Sequence, residues 1–225
     1  DVIVERIKRE FKVEANVGAP KVAYRETVRK TASAQGKFIR QSGGRGQFGD
    51  VTLRIEPLEA GSGLVFESEI TGATLPTEYF GPVEQGFKEA AQSGVVAGHP
   101  VVDIKAILID GSHHEVDSSE VAFKIASSMA FKEACQKASP FILEPVMLME
   151  VVTPEEFLGD VLGDLQSRRA QVQSMEPQAG LQIVKAHVPL AETFQYATIL
   201  RSNTTGRASF TQELDHYAPA PMKDK

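Results

Sequence analysis

A single cysteine, Cys135, and no tryptophan occur in 225 residues. One thiol excludes a disulfide framework and any cysteine-rich metal centre built from one copy of the chain. No stretch approaches the about 20 consecutive apolar residues of a membrane-spanning helix. The phosphate-loop pattern Gly-x-x-x-x-Gly-Lys-Ser/Thr occurs nowhere, so nucleotide hydrolysis by these residues is not expected. HExxH and related metal spacings are missing, as is a nucleophile elbow, so neither a catalytic group nor a metal is expected. Net positive charge is lacking as well: 24 Lys and Arg face 30 Asp and Glu, a net −6. The body as a whole therefore does not attract nucleic acid, and any RNA contact has to come from a local patch. What remains is 42% apolar and 24% charged, a globular composition long enough for two ordinary domains.

The positive charge that exists is concentrated. Residues 21–54 hold Lys21, Arg25, Arg29, Lys30, Lys37, Arg40, Arg45 and Arg54 against Glu26 and Asp50, a local +6 that leaves −12 on the remainder. Such asymmetry fits one RNA-facing end on an acidic body, and equally a two-stranded ribbon with a solvated charged face.

Asp1 opens a helical pattern in which Val4, Ile7 and Phe11 share one face, followed by a short strand over residues 12–17. Residues 1–18 are expected to be the tail of a truncated preceding domain, with a docking helix on a processed N-terminus as the alternative. Residues 19–140 read as one domain: strand over 21–40, a turn over 41–49, strands around Val51–Ile55 and 64–70, and a helix from about 78 to 96. Its inner stripe is Val83, Phe87, Ala90 and Ala91. A strand over 101–109 precedes a second helix, for which Asp117 and Glu120 form a capping box. Val121, Ile125 and Met129 are its apolar repeat. Ala126, Ala130 and Ala134 beside them let it lie close to a sheet, and Ser139-Pro140 ends it.

Residues 141–217 read as a second domain in the order β-α-β-β-α-β, the ferredoxin-like split arrangement. Thr153, Pro154 and Glu156 are expected to start its first helix, with Phe157, Leu158, Val161, Leu162 and Leu165 inside. Pro189 opens its second, with Leu190, Phe194, Ala197 and Leu200 inside. Residues 218–225 form a polar tail. The fold class is α+β.

Three segments carry candidate chemistry. Gln41-Ser-Gly-Gly-Arg-Gly-Gln-Phe-Gly49 has four glycines where a hairpin needs one or two. It can present backbone N–H groups, the guanidinium of Arg45 and the polar groups of Gln41, Ser42 and Gln47 to a phosphate-bearing partner, or be a mobile hairpin end. Asp110-Gly-Ser-His-His-Glu-Val-Asp117 places Ser112, His113 and His114 in a loop that touches a partner. Adjacent histidines point apart in extended chain, which argues against a shared metal. Ser167, Arg168 and Arg169 close a helix, where arginines complement the helix dipole or reach an RNA phosphate.

Six ordered motifs then carry a resemblance over nearly the whole chain: the 41–49 glycine segment, Asp110 to Glu120, Ala130-Phe-Lys-Glu-Ala, Leu143-Glu-Pro, Gly159 to Arg169, and Gly206-Arg-Ala-Ser-Phe. Together they resemble the C-terminal part of bacterial elongation factor G, the translocation GTPase. Residues 1–18 resemble the end of its third domain, 19–140 its fourth, similar to a domain of small-subunit ribosomal protein S5, and 141–217 its fifth. The resemblance implies that GTP and Mg belong to a missing upstream domain and that this chain itself is no enzyme and binds no cofactor.

It further implies a cytoplasmic, monomeric partner of the ribosome. The fourth domain enters the small-subunit decoding site as tRNAs and mRNA advance, with tip loops at 41–47 and 111–115 on the tRNA–mRNA duplex and small-subunit rRNA, and with His114 at the position of a tip histidine. The fifth lies against large-subunit rRNA and the stalk base. Phe80-Gly81, Asp50, Ala170, Ile199 and Thr205 differ from the commonest family residues, and His113 stands where tyrosine is frequent. These leave open a paralogue for ribosome recycling or antibiotic protection. A free RNA- or protein-binding module remains a further alternative, and a hydrolase built on His114 and Asp117 a distant one.

Overall fold

The computed structural model describes residues 22–41, 43–44 and 46–221. The helix and strand expected over residues 1–18 lie outside them. The chain divides into two compact units, with Tyr24–Leu143 forming the body of one and Glu144–Ala218 that of the other.

The first unit has one four-stranded sheet. Its strands are β2 (Ala32–Arg40), β3 (Gln47–Pro57), β4 (Leu64–Ser68) and β5 (Ile104–Ser112), in the order β2-β3-β5-β4. β2, β3 and β5 are antiparallel neighbours, and β4 joins β5 in parallel. Val51, Leu53 and Ile55 alternate along β3 and are fully buried, as the period-two pattern predicts. Helix α1 (Phe80–Ser93) buries Val83, Phe87, Ala90 and Ala91, the expected stripe. Each of the larger two contributes about 1.5–3 kcal/mol by leaving water.

Helix α2 (Glu120–Lys137) departs from its expected stripe. Val121 and Met129 are exposed, at 58% and 43%, while Ala122, Phe123, Ala126, Ala130, Phe131, Ala134 and Cys135 are buried. The sheet explains this. A side chain at Gly36 on β2 would collide with the Ala126 carbonyl, and one at Gly49 on β3 with that of Ala122. Backbone meets backbone here, so only small or well-fitted residues line the contact. Cys135 is buried in the same core, and burial pushes its thiol pKa up to about 12, leaving it inert. The cap also differs: Ser119 Oγ accepts from Ala122 N at 3.1 Å, and Asp117 is used elsewhere.

The strand expected over 21–40 is two. β1 (Arg25–Val28) pairs with the first residues of β6 (Pro140–Pro154), and the chain turns at Arg29 and Lys30, whose N–H groups donate to the Ala138 carbonyl. β5 likewise begins later than expected. Asp103 takes a left-handed φ of 58° and its carboxylate accepts from Gly61 N and Gly63 N, which separates Val101 from the strand.

Glu26 on β1 is fully buried. Its carboxylate accepts four backbone N–H groups, from Val95, Val96, Ala97 and His99, at 2.6–2.9 Å. Burial alone would raise its pKa, but these four donors outweigh burial and hold it below the ordinary value.

In the second unit β6 is joined by β7 (Gln171–Gln178), β8 (Leu181–Pro189) and β9 (Ser209–Pro219), in the order β9-β6-β8-β7. This is the ferredoxin-like order. Helices α3 (Leu158–Ser167) and α4 (Tyr196–Asn203) supply Val161, Leu165, Tyr196 and Leu200 against Met149, Val151, Val184, Ala186 and Val188. The β7–β8 turn is Ala179-Gly180, both with positive φ, which suits the twist of a two-residue hairpin. The expected Thr153 cap is not made. β6 runs on through Pro154, and a short 3₁₀ turn (Glu155–Phe157) precedes α3, which lacks a side-chain cap. Around α4, Gln195 adopts a left-handed φ of 60°, which buries Tyr196 and leaves Ala197 outside.

Two outcomes follow for the first unit. A carboxylate with a lowered folded pKa stabilises above its unfolded value, near 4.5, and that stability is lost as pH falls through the folded value. Glu26→Gln is therefore expected to cost about 3 kcal/mol or more in denaturant unfolding at pH 7, because buried N–H groups lose a charged acceptor. It should also flatten the acid-side fall in stability, and an unchanged acid limb would contradict the assignment. Gly49→Ala should cost about 1–3 kcal/mol or more through overpacking against α2, readable as a lowered Tm.

Candidate nucleic-acid interface

β2 ends at Arg40 and β3 begins at Gln47, so Gln41, Gly43, Gly44 and Gly46 lie outside the strands at one end of the sheet. β5 leaves the sheet at the same end, since Ser112 pairs with Asp50 near the start of β3. The second loop, His113–Ser119, thus emerges beside the first because α2 must start there to lie along β2 and β3.

The two loops are joined by hydrogen bonds. Gly46 N donates to Asp117 Oδ1 at 3.1 Å, and Phe48 N to the Asp117 carbonyl at 2.8 Å. Phe48 and Ser118 form an isolated parallel bridge, and the Phe48 ring lies 6.1 Å from that of His114. Asp117, expected as a helix cap, is the clasp. Gly46 is buried under it, and a Cβ there would lie 3.0–3.3 Å from Arg40 O, Gln41 Cγ and Asp117 Cγ, a tight fit. Gly43 and Gly44 project from the loop with φ of 38° and 143°, conformations that glycine tolerates best.

The histidine loop is ordered from within. His114 N donates to Ser118 Oγ at 2.7 Å, and the N–H groups of Asp117 and Val116 donate to His114 Nδ1 at 3.2 and 3.4 Å. In the neutral ring the proton is then on Nε2. His113 Nδ1 lies 3.3 Å from the Thr74 carbonyl, so there Nδ1 carries the proton. Ser112 donates to Asp50 Oδ2 at 2.6 Å, and Gln35 Nε2 to Asp50 Oδ1 at 2.7 Å. Ser112 is therefore a strut beneath the tip, with Asp50 as its buried base.

Of the expected tip residues, the structure brings together Gln41, Gly43, Gly44, Gly46, Gln47, Ser112, His113 and His114. Ser42 and Arg45 lie outside the described residues. Sequence reasoning missed Asp50 and Phe48. An acid directly after a glycine-rich segment, at the start of an apolar alternation, was the available signal for Asp50. Lys37 Nζ stands 5.8 Å from the Phe48 ring and adds a cation on the β2 side.

The arginine pair of the second unit is engaged internally. Arg168 bonds Asp164 Oδ2 and the carbonyls of Glu192 and Phe194, and covers the Tyr196 ring at 5.0 Å. Arg169 forms a two-pronged pair with buried Glu144 at 3.0 and 3.2 Å and reaches Glu192. Hydrogen bonding to Glu144 raises its pKa further. Ser167 Oγ donates to the Asp164 carbonyl. The two arginines hold the end of α3 to its neighbours, while Ser167 bonds within the helix itself.

An α+β unit with two clasped loops, followed by a ferredoxin-like unit, defines the class. Residues 20–139 match the family model for elongation factor G, domain IV, and residues 141–225 that for the elongation factor G C-terminus. The chain belongs to the elongation factor G family, which serves protein synthesis. A Thermus thermophilus protein of known crystal structure is 46% identical and superimposes with a TM-score of 0.84. The match covers 97% of this chain and 33% of that one, so the chain spans about a third of the length of its relative. No helix among the described residues is long and apolar enough to cross a membrane.

Asp117→Ala removes the side-chain clasp on the glycine loop. Amide exchange at Gly46 is expected to quicken about tenfold or more, the loss of roughly 1.4 kcal/mol of protection. Unaltered exchange there, with Ala122 also unaffected, would show that the loops order independently.

Proposed function

We propose that this chain is the RNA-contacting part of a ribosomal translocase. The first unit enters the small-subunit decoding site and holds the tRNA–mRNA duplex in its advanced position. The second lies against large-subunit rRNA and the stalk base. The observation that carries the reading is the Asp117 clasp, which sets the glycine loop and His114 side by side at one end of a sheet. Gln41, Ser42, Gly43, Gly44, Arg45, Gly46, Gln47, His113 and His114 make the contact, with Ser112 supporting them from below. Arg169, the more exposed of the pair, extends the second unit's contact with RNA.

A translocase meets every codon, so recognition of base edges would defeat it. The wide minor groove of A-form RNA offers 2′-hydroxyls and backbone outline instead. Glycine backbone, Gln and His can bond these without demanding a sequence. The net charge of −6 limits adhesion to bulk RNA, whose non-specific affinity follows neutralised phosphates. GTP hydrolysis, with its Mg, belongs to another part of the full-length cytoplasmic factor, which acts as a monomer.

Arg45→Ala and His114→Ala in the full-length factor test this. Each should slow tRNA–mRNA movement about tenfold, the worth of roughly 1.4 kcal/mol, and leave ribosome-stimulated GTP hydrolysis within about twofold. Equal loss of both activities would overturn the tip assignment. Intact translocation with impaired ribosome splitting or drug protection would move the task to a recycling or protection paralogue.

A further inference from the structure

The ferredoxin-like unit carries a cluster that RNA contact does not use. His187 on β8, with Asp215 and His216 on β9, offers one ligand atom from each residue, all within 4.8 Å of one another. His187 alternates with buried Ala186 and Val188, so it faces away from α3 and α4. It pairs across the sheet with Leu148 of β6, the strand that separates β8 from β9. The two outer backbones are about 10 Å apart, and the side chains meet across the strand between them.

Asp215 Oδ2 is the centre of the group. It lies 3.4 Å from His187 Nε2 and 2.6 Å from His216 Nδ1. The imidazoles are edge to face, with centroids 5.3 Å apart, and a nitrogen of each lies within 4.8 Å of the other and of the Asp215 carboxylate. All three side chains are partly open to solvent, at 26%, 36% and 45%.

We propose that His187, Asp215 and His216 form a binding site for a divalent transition metal of the Zn²⁺ class. Two imidazole nitrogens and one carboxylate oxygen supply three ligands, and water fills the fourth position. Ligand atoms around a tetrahedral ion with bonds of 2.0–2.1 Å lie about 3.4 Å apart. The His187–Asp215 separation already matches one edge of that tetrahedron. The His216–Asp215 contact has to open by under about 1 Å, within reach of side-chain rotation on an exposed strand. Imidazole selects first-row transition metals over Mg²⁺ and Ca²⁺, which require oxygen. The ion would tie β9 to β8 across β6 and secure the last strand of the sheet.

The test uses the 225-residue chain, stripped of metal, titrated with Zn²⁺ by calorimetry and with Co²⁺ by visible absorption. One equivalent should bind, with a tetrahedral Co²⁺ spectrum and a Zn²⁺-dependent rise in Tm. Asp215→Asn and His216→Ala should each weaken binding by about tenfold or more and abolish the rise. The other three of the five histidines are His99, His113 and His114, so the double variant His113→Ala/His114→Ala separates the tip from this site. It should bind as the parent does. Binding no tighter in the parent than in His216→Ala, or loss that tracks His113 and His114, would overturn the proposal. His216 and Asp215 lie on an exposed strand, so their variants keep the test open even if His187→Ala fails to fold.

Discussion

The first unit depends on how closely the backbone of α2 approaches its sheet. Gly36 and Gly49 have no side chains, and the Ala126 and Ala122 carbonyls occupy the space such side chains would need. That approach fixes where α2 begins. The segment leading into α2 is consequently laid along the start of β3, and Asp117 falls within reach of Gly46 and Phe48. The glycine loop is positioned here by packing at some distance from it, and a rigid scaffold supplies the precision that loops lack by themselves.

Glu26 plays the matching part at the other end of the helical layer. A single carboxylate satisfies four N–H groups of the segment that follows α1, and the Glu26 backbone bonds Pro100 and Val102. A buried charge is tolerated because its acceptor capacity is filled by donors that would otherwise be orphaned. In the second unit the same economy is visible at Glu144, whose buried carboxylate takes both prongs of Arg169. Both acids are anchors whose removal leaves polar groups without partners.

Much of this architecture was legible in the residues. Period-two alternation located β3, the Val83–Phe87–Ala90 stripe located α1, and the β-α-β-β-α-β order anticipated the ferredoxin-like sheet. Most of the failures share one cause: a partner far away in sequence. The stripe of α2 was assigned to Val121, Ile125 and Met129 because they are larger, whereas the glycines opposite admit only the alanine side. Asp117 looked like a cap within its own segment, since nothing local shows that Gly46, 71 positions upstream, needs an acceptor. Arg168 and Arg169 were ambiguous until Asp164, Glu144 and Glu192 were seen around them. Thr153 looked like a helix start because the end of a long strand has no local signal against a Thr-Pro-Glu cap.

The neighbouring imidazoles of the tip hold their protons on opposite nitrogens, fixed by an N–H donor pair in one case and a carbonyl in the other. With both rings neutral, the outward nitrogen of His114 gives a hydrogen and that of His113 receives one. Sugar hydroxyls both give and receive, so one class of group answers both rings, while a phosphoryl oxygen answers only the first. Any group that answers the pair has to offer an acceptor to one ring and a donor to its neighbour, a demand that a bare oxyanion does not meet.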